Sequence, residues 1–136
     1  TEQHILALML MFPSLRDESK YLTLDMFSDE QAKKLFTFLK ENSDFTGQAN
    51  QMKPLQSIAD YVKITSLQFD ELYRTLELTE LQYEVARLQE RLVAHYVKHQ
   101  KQLVAEHLGR ADDDEVRRLL TADKELNNLL KQVKRN

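Results

Sequence analysis

Two glycines, Gly47 and Gly109, and two prolines, Pro13 and Pro54, are all that this 136-residue chain contains of either residue. Average usage gives about 16 of them together in a chain of this length. Sheets need tight turns, and tight turns draw on glycine and proline. An all-β fold is therefore excluded, and parallel α/β folds with glycine-rich phosphate loops are disfavoured. What is left is an all-α chain rich in Leu, Gln, Glu and Lys, the straight-chain helix formers.

Hydrophobic spacing places the helices. Ile5, Leu8, Met9 and Phe12 recur at i, i+3, i+4 and i+7 over Glu2–Phe12, and Leu6 and Leu10 widen the stripe until the helix should be buried on most sides. Pro13 ends it, because a proline disfavours helix at the residue before it. Leu15, Tyr21, Leu22, Leu24 and Met26 are scattered anchors in a short helix or loop. Ser28-Asp-Glu-Gln31 has the form of a capping box, with Ser28 as the cap of a helix that carries Ala32, Leu35, Phe36 and Leu39 on one face and Phe38 on its flank. Asn42–Lys53 reads as a loop, and Pro54 suits a first helical turn ahead of Leu55, Ile58, Ala59 and Val62. Thr65 or Ser66 is then expected to cap a further short helix holding Leu67, Phe69, Leu72, Tyr73 and Leu76. Residues 1–77 thus read as a bundle subdomain of about five short helices.

The pattern changes beyond Leu76. No glycine, proline or turn cluster interrupts Thr79–Leu108, and Leu78, Leu81, Val85, Leu88 and Leu92 follow the heptad-like spacing of a narrow helix–helix seam. Gly109 fits the left-handed position that stops a helix. Asp112, Asp113, Asp114 and Glu115 supply a cap and acidic charge at the start of a last helix, whose face is Val116, Leu119, Leu120, Leu126, Leu130 and Val133. Lys131, Lys134 and Arg135 sit at its negative end. Residues 78–136 are expected to form a long helix and a C-terminal antiparallel helical hairpin with its tip near Gly109. A single hairpin has a thin core, so its outer apolar positions either pack on the bundle or await a partner.

Little here points to catalysis. There is no cysteine, hence no disulfide, zinc-finger or iron–sulfur ligand. No G-x-S-x-G or glycine-rich loop is present. His95 and His99 have the i, i+4 spacing of a metal pair, but the required Glu of an H-E-x-x-H motif is absent, Tyr96 standing in its place, so they read with His107 as the flank of a long helix. His4 reads as a first-turn surface residue. The run Asp112–Glu115 lacks the alternating ligands and glycine hinge of a calcium loop, and helix capping accounts for it. Net charge is −3 with no basic block to advertise nucleic acid. Small basic clusters, Arg110 with Arg117 and Arg118 and the terminal lysines, are interleaved with acidic groups and read as solvated helix surface or as an auxiliary contact for an acidic peptide or DNA. Phe12, Phe36, Phe38 and Phe69 have core spacing, whereas Tyr83 and Tyr96 could anchor a partner. The longest apolar run, near Ile5–Phe12, is far too short to span a bilayer, and no signal peptide is visible, which fits a cytoplasmic protein.

The order of elements resembles the C-terminal helicase-binding domain of the bacterial replicative primase (DnaG-type). The residues that carry the likeness are Glu2-Gln-His-Ile-Leu-Ala-Leu-Met-Leu10, then Pro13, then Leu24-Asp-Met-Phe-Ser-Asp-Glu-Gln-Ala32 with Leu35, Phe36 and Leu39, then Leu88-Gln-Glu-Arg-Leu92, the break at Gly109 and the Leu-rich terminal helix. The resemblance implies a non-catalytic domain that docks on the N-terminal domains of the hexameric replicative helicase (DnaB-type), recruits primase to the fork and modulates priming and unwinding. It implies no cofactor in this domain, since zinc, magnesium and the DNA-directed RNA polymerase activity belong to other domains of such a parent. By position it assigns the helicase contact to Tyr96, Leu119, Leu120, Leu126, Leu129, Leu130, Lys131, Val133 and Lys134. It also implies a second partner, the acidic tail of single-stranded-DNA-binding protein, for which Arg110, Arg117 and Arg118 are the candidates. The N-terminal domain of the helicase itself is similar in fold and is the nearest alternative. That protein would continue through a linker into an ATPase domain, so a natural C-terminus directly after the hairpin is expected of primase, and an internal fragment favours the helicase domain. A helical nucleic-acid-binding module is the alternative from another class.

Overall fold

The computed structural model describes residues 1–46 and 52–135; Gly47, part of the expected Asn42–Lys53 loop and the side chain of Arg135 lie outside it. Every regular element among the described residues is helical. In chain order they are α1 (Glu2–Met11), α2 (Pro13–Asp17), a 3₁₀ turn (Leu24–Met26), α3 (Glu30–Glu41), a second 3₁₀ turn (Lys53–Ile58), α4 (Ala59–Leu72), α5 (Leu78–Leu108) and α6 (Asp113–Arg135). No helix among the described residues is long and apolar enough to cross a membrane. Two compact units are present, Thr1–Gln89 and Glu90–Asn136.

In the first unit α1 is the central helix. Its residues Ile5 to Leu10 are all buried, and it packs on α2, α3 and α4. Phe12 is extended, and Pro13 starts α2. A proline carries no N–H, so the donor that would reach the Met9 carbonyl in a continuing helix is missing. Arg16 replaces it. Its Nε donates to the Met9 oxygen at 2.6 Å and its Nη2 to the Leu10 oxygen at 3.0 Å. Its Nη1 faces the oxygens of Asn42, Ser43 and Phe45 at 3.2, 3.0 and 2.7 Å. The guanidinium, on a residue only 2% exposed, therefore joins the ends of α1 and α3. Burial lowers the Arg16 pKa, while Asp44 and Asp17 act in the opposite sense.

Two expected caps belong elsewhere. The cap of α3 is Asp29, whose Oδ1 accepts from the backbone N–H of Gln31 at 2.7 Å and of Ala32 at 3.4 Å. Ser28 is bound instead to Glu2: its N–H donates to Oε1 at 2.9 Å and its hydroxyl to Oε2 at 2.7 Å. Thr65 is no cap either, because α4 runs unbroken from Ala59 to Leu72. Its buried hydroxyl donates to the Tyr61 carbonyl at 2.8 Å and accepts from Gln3 Nε2 at 3.2 Å, and Gln68 Nε2 donates to Gln3 Oε1 at 2.9 Å. Between the first and fourth helices the apolar contact is thus pinned in register by polar side chains. Burial, helped by the Asp29 and Glu2 carboxylates, pushes the nearby Tyr61 phenol up to about 12. Aromatic rings close the rest of the core, Phe27 on Phe36 at 4.6 Å and Phe12 on Phe69 at 5.7 Å.

The boundary expected at residue 77 falls instead between Gln89 and Glu90, within α5. The reason is that the first turns of α5 belong to the core: Leu81, Val85 and Leu88 are buried, although Leu78 at the start of the expected seam is exposed. Gln89, 3% exposed, completes the attachment. Its Oε1 accepts from the Tyr21 N–H at 3.0 Å and its Nε2 donates to the Glu18 carbonyl at 3.1 Å.

Replacing Arg16 by Met should destabilise the protein by about 3–5 kcal/mol, the magnitude for removing one side of a buried charged network. Arg16→Lys should recover only part of this, since an ammonium has three donors and no fork; chemical denaturation measures both, and a loss below about 1 kcal/mol for the Met variant would refute the role. Asp29→Ala should lower stability by about 1 kcal/mol, and Ser28→Ala by no more than about 0.5 kcal/mol; the reverse order in the same denaturation series would return the cap to Ser28.

Candidate partner-binding surface

The second unit contains the last turns of α5 and the whole of α6. The connection is short. Arg110 N–H donates to the His107 carbonyl at 3.1 Å, and the next helix is capped by Asp112, whose Oδ1 accepts from the Glu115 N–H at 2.9 Å. The acidic first turn suits the positive end of the helix. Gly109 is not in the left-handed conformation expected for it, and an added Cβ would meet nothing within 4 Å. The i to i+3 bond at Arg110 closes the turn without it. Across the unit, Lys101 on α5 and Asp123 on α6 form an ion pair at 3.6 Å.

The core here is thin. On α5, Leu92, Val93 and Val97 are buried, and from Lys98 to Leu108 no residue is. Among the described side chains of α6 only Val133 is buried, at 4% exposure, while Leu119, Leu126, Leu129 and Leu130 are half-buried. One helical residue turns about 100° about the axis, so Leu119, Leu126, Leu130 and Val133 share one face and Leu129 borders it. Val133, named above among the helicase contacts, is a core residue and not a free anchor. Tyr96 on α5 is half-buried.

Leu120 is different. It is 55% exposed and lies about a quarter-turn from Leu119. Lys131 and Lys134, both exposed, fall on its side of the helix. The three candidate arginines do not act as one group. Arg110 and Arg118 line a shallow cleft of about 370 Å³ with His107, Glu115 and Leu119. Arg117 faces away from it, on the side of Leu120. The sequence reading missed Lys124, exposed on that same side. Its signal was the seven-residue spacing of Arg117, Lys124 and Lys131, hidden because acidic residues alternate with them along the chain.

Other candidate chemistry does not converge. His95 and His99 are both exposed. Among the described residues no three of His, Cys, Asp or Glu come together as a metal site, including the acidic run at the start of α6. Tyr83, 72% exposed on α5, lies in the first unit and not on this surface. Compared with known proteins, the chain matches no family model, no curated protein and no solved structure.

Gly109→Ala should be neutral or raise stability by about 0.4–1 kcal/mol, because the alanine fits and restricts the unfolded chain. A fall of more than about 1 kcal/mol in the thermal or denaturant midpoint would mean that the turn needs a left-handed residue.

Proposed function

We propose that the chain is a non-catalytic docking domain of a bacterial, cytoplasmic replicative primase, binding the N-terminal domains of the hexameric replicative helicase through its last helix. The observation that carries the reading is the half-covered leucine row of α6. Leu119, Leu126, Leu129 and Leu130 keep part of their surface in water, and a hydrophobic row of this kind gains free energy when a partner covers it. The order of helices adds support through its likeness to the primase domain described above. An adaptor of this class needs no nucleophile, metal or cofactor, and the residues on α6 are of the type that docks rather than reacts. The cleft holding Arg110, Arg118 and Leu119 supports a second, acidic partner such as the tail of single-stranded-DNA-binding protein, since two guanidiniums beside one apolar side chain suit a carboxylate-rich peptide. Arg117 stands outside that cleft and supports this contact less.

Titration calorimetry of the full chain against the helicase N-terminal domain from the same organism tests the reading. Saturable binding is expected, and Leu126→Ala and Leu130→Ala should each weaken it by roughly tenfold, with circular dichroism melts showing that the variants stay folded. No heat of binding from the unmodified chain at high micromolar concentration would sink the proposal.

A further inference from the structure

Resting on that docking reading, we propose that the contact extends from the leucine row onto a basic stripe of α6, with Leu120 among the cations, and that the partner's matching element is an acidic helix. The stripe is Arg117, Leu120, Lys124, Lys131 and Lys134, all exposed and all within about a third of the helix circumference. Leu120 is the one strongly exposed large apolar residue among the described residues of α6. It lies off the half-buried leucine row, so closing the unit does not require it.

The charge pattern names the occupant. The chain as a whole carries −3, yet beyond the first turn the charged residues on this face of α6 are all cations. The two later carboxylates lie elsewhere: Asp123 is at the border of the stripe and is held by Lys101 at 3.6 Å, and Glu125 is on the far side of the helix. None of the four stripe cations forms an ion pair with a described residue. Arg117, Lys124 and Lys131 are seven residues apart, a spacing that drifts only about 20° per step on a straight helix. They form a nearly straight row with a rise of roughly 10 Å per step. A second helix bearing Asp or Glu at the same seven-residue spacing pairs with such a row along its length, and an apolar gap between its carboxylates receives Leu120. A nucleic-acid backbone offers the charge without the apolar socket, which makes Leu120 the discriminating residue.

The test uses the full chain, the helicase N-terminal domain as first probe and a 20-nucleotide single-stranded DNA as second. Lys124→Glu/Lys131→Glu is expected to weaken helicase-domain binding by tenfold or more, and Leu120→Ser by about tenfold; the weak background on DNA falls with the double reversal and is unchanged by Leu120→Ser. Lys63→Glu, an exposed reversal on α4, should change nothing. Should the double reversal lower the melting temperature, Lys124→Gln and Lys131→Gln are read in its place, each expected to weaken binding by severalfold. Wild-type affinity in the folded stripe variants overturns the stripe and leaves the docking reading standing. Absence of helicase-domain binding by the unmodified chain overturns both. Loss confined to the DNA probe, with Leu120→Ser silent, overturns the acidic-helix partner in favour of nucleic acid.

Discussion

One buried guanidinium, bonded to backbone carbonyls, holds the first unit together. Arg16 reaches five backbone carbonyls, two at the end of α1 and three just past the end of α3. Each helix end leaves several carbonyls without an intrahelical donor, and in a packed interior such orphans are costly. Each end also carries about half a negative charge from the aligned peptide dipoles. One guanidinium answers both problems at two helices. The arrangement depends on Pro13 in two ways: the ring stops α1 and removes the donor to Met9, and it starts the short α2 that brings Arg16 back over the vacancy. Lys40 adds to the same region, donating from Nζ to the Ser19 carbonyl at 3.1 Å. Desolvation of Arg16 lowers its pKa, the Asp44 and Asp17 carboxylates act against that shift, and the five carbonyl oxygens receive its N–H donors.

Gln89 plays a neutral version of this role. A polar side chain that is buried must be fully bonded, and both ends of this amide are used, on backbone groups of the segment after α2. A helix of 31 residues therefore serves two purposes along its length. Its first turns complete a core, and its last turns carry no buried residue at all. The unit boundary falls where the amide anchors the helix, well inside a stretch whose sequence gives no break.

Periodic features were legible before the fold was known, and long-range claims on local residues were not. The apolar spacing of α1, α3 and α5 and the stop at Pro13 are local properties, and they located these helices. Ser28 and Asp29 are both good caps by type. Glu2, twenty-six positions away, is the residue that draws Ser28 off and leaves Asp29 to cap α3. Thr65 resembles a cap until Gln3 binds it from another helix. Arg16 gave no local sign of its role, because all its acceptors are backbone atoms and no sequence pattern marks them. On α6 the leucine row was legible, whereas the division between buried Val133 and exposed Leu120 depends on how the helices of the second unit meet. Lys124 escaped notice because its neighbours on the helix face, Arg117 and Lys131, stand seven residues away in the sequence.

The two faces of α6 differ in what they contribute to a docked complex. A leucine row supplies apolar area, but area alone is a poor selector, since any hydrophobic groove of similar width satisfies it. A row of lysines and an arginine at fixed spacing is individually weak, each exposed pair being worth about 0–1 kcal/mol, yet it sets register and orientation and speeds encounter with an acidic partner. In the proposed complex Leu120 ties the two effects together, because an acidic helix covers its side chain only when the charges are in register. A contact built this way is salt-sensitive, because the charges, which govern arrival, are screened within about 8–10 Å at physiological ionic strength, while the apolar area of the leucine row and Leu120 governs residence time. Under the proposed helicase docking, a contact whose arrival is set by charge and whose release is set by apolar area lets the two rates be set separately.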